Sequence, residues 1–220
     1  MRGAIWLNHL LNEDTPVYGG GEGLVIRSQT SISSGDTANT SRWEFPNHIG
    51  THLDAPYHFF DQGSKLSDFP PEYWIFSQPL LLDVPVGDGH LITPEDVADR
   101  LATKPDLLML RTGYERYRQE ERYWQRNPGL SPELGYWLRE NHPSVRAVGL
   151  DCISITSRLH REAGRAAHQA FLDPEGPGNP IPLIEDMALI SASSDLKQII
   201  IAPFPVAEAD GGPCTILGLY

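Results

Sequence analysis

The chain has 220 residues, 40% of them hydrophobic, enough to bury one substantial core and consistent with a single domain over 1–220. Its formal charge of −12 excludes a broad basic surface for nucleic acid or an anionic membrane, and no apolar run approaches the roughly 20 residues of a membrane span. The N-terminus lacks an apolar signal core followed by small residues, so a cytoplasmic location is the default, and Cys152 and Cys214, without a CxxC pattern, read as buried free thiols.

Nineteen prolines and twenty glycines break the chain into short elements. Leu80–Val84 is an apolar run bounded by turn residues and reads as a buried strand. Thr93-Pro94-Glu95-Asp96 offers a capping hydroxyl, proline at the first helical position and acids in the first turn, and so starts a helix. A strand is predicted at Leu107–Leu110. Beyond it Arg111, Arg116, Arg118 and Arg122 interleave with Glu115, Glu120 and Glu121, which predicts a solvated face. Ser131-Pro132-Glu133 repeats the capping logic ahead of Leu134, Trp137 and Leu138, read as core. Strands follow at Ala147–Leu150 and Gln198–Ala202, separated by a proline- and glycine-rich loop at Asp173–Pro180. The alternation of elements predicts an α/β domain with a mixed sheet and short helices.

Chemistry concentrates at His48-Ile-Gly-Thr-His52-Leu-Asp54-Ala-Pro-Tyr-His58, which holds three of the eight histidines and one carboxylate. Imidazole and carboxylate are ordinary ligands of a borderline ion such as zinc, and a metal-assisted hydrolase is the natural first reading. Four extended residues span roughly 13 Å, too far for His48 and His52 to meet at one ion, so the segment must bend, and Gly50 permits the bend. His52 and Asp54, two residues apart, can chelate from extended chain. Pro56 argues against a helix or a central strand, and the stretch reads as a loop or edge strand aimed into a pocket.

Asn47–Phe59 resembles the signature of the cyclase family of metal-dependent amidohydrolases, which includes kynurenine formamidases (arylformamidases) and isatin hydrolases. Thr15–Tyr18, Leu107–Gly113, Ala147–Asp151, His168–Leu172, Ile181–Glu185 and Ala209–Pro213 resemble further family landmarks in the same order. The resemblance implies a swivelling β/β/α architecture assembled as a homodimer or larger homo-oligomer. It also implies that His48, His52 and Asp54 hold one ion and that Asp54, His168 and Glu185 hold a second, although some members work with one. Zinc is the first choice and manganese the alternative. His160 competes with His168, and Asp186 with Glu185. The family pattern assigns proton transfer to His58 and substrate contact to Tyr18.

Two departures bear on the substrate. Tyr18-Gly-Gly-Gly stands where the family's formamidases usually carry Trp-Pro-Gly-Asp, and Cys214-Thr215 stands where an arginine is common. The expected activity is hydrolysis of a small amide, N-formylkynurenine first and an isatin-like cyclic amide second. The alternative of another class is a catalytically silent metal- or small-ligand-binding protein.

Overall fold

The computed structural model describes residues 3–101 and 103–220. The strands β1 (Ala4–Trp6), β2 (Val25–Thr30), β3 (Thr40–Glu44), β4 (His52–Asp54), β5 (Ile75–Phe76) and β6 (Pro79–Asp83) come first. Next are β7 (Leu91–Ile92), α1 (Pro94–Val97), β8 (Leu107–Arg111), α2 (Arg122–Gln125), β9 (Gly129–Leu130), α3 (Pro132–Asn141) and β10 (Ala147–Leu150). The described chain ends with α4 (Arg161–Leu172), β11 (Leu183–Glu185), β12 (Gln198–Pro203) and β13 (Gly211–Leu219).

The central sheet runs β5-β12-β13-β4-β11-β10-β8-β6, with β1 added on β13. β6, β8, β10 and β11 are parallel, and their connections carry α1, then α2 and α3, then α4, as crossovers between parallel strands require. β4 closes the gap between this half and the antiparallel half, pairing with β11 on one side and β13 on the other. The β8 run explains why the sheet is buried on both faces. Leu108 and Leu110 pack with Leu134, Leu138 and Phe171 of α3 and α4, while Leu107 and Met109 pack with Trp74, Phe76 and Ile199. Side chains two apart share a face, so a strand covered on both sides is apolar throughout. This is the mixed α/β arrangement expected, with the four predicted strands in place within a residue or two at their ends.

Both predicted helix starts are capped. Ser131 Oγ accepts the Leu134 N–H at 3.2 Å, and Asp96 accepts the Thr93 N–H at 2.8 Å. Asp173–Pro180 is a loop whose carbonyls at Asp173 and Gly178 accept from Arg139 of α3. Both cysteines are free and buried. No helix among the described residues is long and apolar enough to cross a membrane.

Two expectations need correction. The signature segment is not an edge strand: β4 is interior, with His52 opposite Glu185 on one side and Pro213 on the other. Pro56 tolerates this because it falls beyond the paired residues and opens a single 3-10 turn, Pro56–His58. The basic group after β8 is only partly solvated. Arg118 is 8% exposed and forks the Asp186 carboxylate, and Glu115 accepts the Leu189 and Ile190 N–H groups. These charges are spent on closing the segment over the ends of the parallel strands.

Candidate metal centre and its pocket

The site lies at the carboxyl ends of the parallel strands, where open α/β sheets place their ligands. Alternation along β4 turns His52 and Asp54 to one face and Leu53 to the other, into the core. Antiparallel pairing sets Glu185 of β11 directly across from His52. α4 brings His168 over the same spot. Gly50 takes φ +60, the bend the spacing demanded, and returns His48 to a ring-centroid distance of 5.2 Å from His52.

Each of the two imidazoles is aimed by its other nitrogen. His52 Nδ1 lies 2.8 Å from the Gly50 carbonyl, and His168 Nδ1 lies 2.9 Å from the Gly164 carbonyl, one helical turn back. A carbonyl can only accept, so both rings donate from Nδ1 and turn Nε2 to the carboxylates. His52 Nε2 is 3.4 Å from Asp54 Oδ1 and 3.4 Å from Glu185 Oε2; His168 Nε2 is 3.4 Å from Asp54 Oδ2 and 3.5 Å from Glu185 Oε1. Those separations are too long for good hydrogen bonds. Each is close to the edge of a tetrahedral shell, about 3.3 Å for ligands about 2.0 Å from an ion, but the two imidazoles meet different oxygens of each carboxylate, so the contacts describe two facing sets of donors and not one shell. The loop after β10 holds the fourth donor, with Ser154 Oγ and the Ile155 N–H donating to Glu185 Oε1 at 3.0 and 2.7 Å. Two imidazoles and two carboxylates, all within 5% of full burial, are donors suited to divalent ions, and of the four His52, Asp54 and Glu185 offer atoms within 4.8 Å of one another.

Electrostatics point the same way. Burial works against charge on His52 and His168, yet the neighbouring Glu185 and Asp54 outweigh it and push the rings up to about 9 and about 10. Burial likewise opposes ionisation of Asp54 and Glu185, but the surrounding imidazoles hold both below the ordinary carboxylate range, Asp54 far below. The pocket floor is built to be neutral with two positive charges among its two carboxylates.

The remaining predicted residues surround this floor. His48 Nδ1 bonds Asp54 Oδ1 at 2.8 Å, and His48, Asp54 and His58 offer donor atoms within 4.8 Å of one another, as His52, Asp54 and Glu185 also do. His58 and Tyr18 line the same cavity of about 280 Å³, together with Phe59, which stacks on His168 at 4.7 Å. The Arg158 guanidinium lies 5.9 Å from the Tyr18 ring centre. Of the competitors, His160 sits exposed at the start of α4, and the Asp186 carboxylate is taken by Arg118 and Tyr123. Sequence reasoning passed over Asp210, which touches both His48 and His58. The signal was the Ala209–Pro213 segment, where Gly211 must be glycine because a Cβ there would come within 2.5 Å of His48 Cε1 and the Leu53 carbonyl.

A buried two-histidine, two-carboxylate cluster under a small cavity at a strand-end crevice defines a candidate metal centre for small-molecule chemistry. Residues 5–157 match the Cyclase family model, and the chain belongs to that family. A kynurenine formamidase of Geobacillus thermodenitrificans is 25% identical over 94% of this chain and 92% of its own length. Cyclase-like protein 2 of Oryza sativa is 26% identical over 94% of this chain and 75% of its own. Isatin hydrolase A of Labrenzia aggregata has the same fold, with a TM-score of 0.83, 20% identity, and 99% of this chain and 93% of that one covered.

Proposed function

We propose that this chain is a metal-dependent amidohydrolase acting on an aryl formamide, with N-formylkynurenine the first substrate to test. The observation that carries the reading is the pair of buried carboxylates, Asp54 and Glu185, each facing His52 through one oxygen and His168 through the other, with a further imidazole, His58, on the wall of the same cavity. His52, Asp54, His168 and Glu185, with His48 beside them, would hold one or two divalent ions, zinc first and manganese as the alternative. A divalent ion bound there would supply acidified water and polarise a carbonyl.

The chain's own residues supply the rest. His58 takes a proton from the attacking water and returns it to the leaving amine, a double duty that imidazole performs near neutral pH. Tyr18 offers its face to a planar ring, and Phe59 gives the cavity an apolar wall. Cyclic-amide opening is the second reading, supported by Tyr18-Gly-Gly-Gly, where glycines follow the cavity-lining Tyr18 in place of the Pro-Gly-Asp usual in the formamidases. A homodimer or larger homo-oligomer belongs to the same proposal. The β2–β3 hairpin supports it, since its strands are almost wholly exposed, Trp43 to 65%, and a lone two-stranded hairpin is marginal in water. Elemental analysis of purified protein, then an ultraviolet hydrolysis screen of N-formylkynurenine, isatin and simple aryl formamides, tests the function. Stoichiometric metal without turnover of any amide would leave a silent metal-binding protein.

A further inference from the structure

Asp210 lies outside the four-donor cluster yet binds both imidazoles that flank it. Its Oδ2 faces His48 Nε2 at 2.9 Å and His58 Nδ1 at 2.8 Å, and its Oδ1 accepts from Asn47 Nδ2 at 2.7 Å. An ionised carboxylate can only accept, so each ring must turn an N–H toward it.

The backbone that carries Asp210 is anchored. Its carbonyl accepts the Ala55 N–H at 2.8 Å, the Ala209 carbonyl accepts the Leu66 N–H at 3.0 Å, and Gly211 pairs with Asp54 in the sheet. The carboxylate therefore stands at a set place beside β4. The His48 and His58 rings are 4.1 Å apart at their centroids, tilted by 34°, with one oxygen serving both.

We infer that Asp210 is a positioning residue that fixes the tautomer and orientation of His58. With the proton pinned on Nδ1 by Asp210, Nε2 is the basic nitrogen of His58, and it has no hydrogen-bond partner among the described residues. Proton transfer in either direction then uses one nitrogen at one place, without a ring flip. The inference rests on the proposed role of His58 in amide hydrolysis. It differs from that role in concerning what sets the ring, which can be observed without substrate.

The test compares wild type, Asp210→Asn, Asp210→Glu, His58→Ala and the double variant Asp210→Asn/His58→Ala, all at saturating zinc so that any weakened hold on His48 does not enter. Nitrogen NMR of the imidazoles, with His58 assigned by its loss in His58→Ala, should find the Nδ1–H form in wild type and a mixture or the Nε2–H form in Asp210→Asn. With N-formylkynurenine as substrate, Asp210→Asn should lower kcat by about 100-fold or more with KM nearly unchanged, in the range general acid–base catalysis supplies. Asp210→Glu should recover the tautomer and part of the rate, and the double variant should be no slower than His58→Ala. An unchanged His58 tautomer in Asp210→Asn, or losses that multiply in the double variant, would overturn the assignment. If the wild type hydrolyses none of the amides, the functional reading fails, and the NMR comparison still decides whether Asp210 sets the ring.

Discussion

Adding zinc to metal-free protein at pH 7 should release about two protons per chain, one each from His52 and His168, a number that follows from the pocket floor. His52 at about 9 and His168 at about 10 are both almost fully protonated at pH 7 in the metal-free protein. Coordination requires their Nε2 lone pairs, so both protons leave as the imidazoles take metal. Apparent zinc affinity should then climb by about 10-fold per pH unit for each of these imidazoles that an ion engages, and level off only as pH passes the imidazole values. The same shifts govern stability without metal. The raised imidazoles contribute fully below their unfolded value near 6.5, and the contribution is lost as pH rises through about 9 to 10. Asp54 and Glu185, held low, contribute above the ordinary carboxylate range and lose the contribution as pH falls. Metal-free protein is therefore most stable in mildly acidic solution, and its melting temperature should fall from pH 6.5 toward 10. His48, shifted in the same direction against the opposing effect of burial, adds to the proton count if it also coordinates. Titration calorimetry in two buffers of different ionisation enthalpy counts the protons. A count near zero at pH 7 would refute the reasoning, because His52 and His168 would then be neutral without metal or would not be ligands.

Three substitution experiments probe the site. Asp54→Ala should lose metal and activity together, and stoichiometric metal with near-normal turnover would dissolve the cluster assignment. His168→Ala should weaken metal binding while His160→Ala leaves metal content unchanged, since only His168 faces Asp54 and Glu185; inductively coupled plasma analysis distinguishes the two. His58→Ala should keep its zinc and lose about 10²- to 10⁴-fold in kcat, whereas loss of an ion would make His58 a ligand and leave the proton shuttle unassigned.

How much of this was legible depends on how local each determinant is. The strands Leu107–Leu110 and Ala147–Leu150 declared themselves because burial on both faces leaves no polar letter in the run. The interior place of β4 did not, because three residues carry no period and the partners that enclose it, Glu185 and Pro213, lie more than a hundred positions away. The burial of Arg118 was hidden for a similar reason. Its partner Asp186 follows β11, and an interleaved run of charges looks the same whether water or a distant carboxylate satisfies it. Asp210 was visible only as part of a motif, since its meaning lies in two rings brought to it by the bend at Gly50 and the turn at Pro56.

The histidine and glutamate that complete the cluster lie on either side of the Asp173–Pro180 loop, and the fold explains why that loop does no harm. His168 is set from its N-terminal side, by the Gly164 carbonyl one turn earlier and by Thr156 Oγ1 at 3.2 Å, while Gly164 itself must lack a Cβ to let Thr156 approach. Glu185 is set by pairing with His52 and by the Ser154 and Ile155 donors. Neither constraint passes through Asp173–Pro180. That loop leaves the end of α4, is tied down where its carbonyls meet Arg139, and returns to β11 without touching the site. Substituting Gly211 separates the two kinds of determinant, because it alters the cradle of His48 while leaving both of these constraints alone. Gly211→Ala brings a Cβ within 2.5 Å of both the His48 ring and the Leu53 carbonyl, and relieving the two contacts costs on the order of 1–3 kcal/mol. The ring is the softer of the two. The expected result is therefore a modest fall in melting temperature, with His48 displaced from Asp54 and Asp210 in the imidazole NMR spectrum and His168 unmoved. An unchanged His48 signal would mean that the backbone yields instead, and that the cradle does not hold the ring.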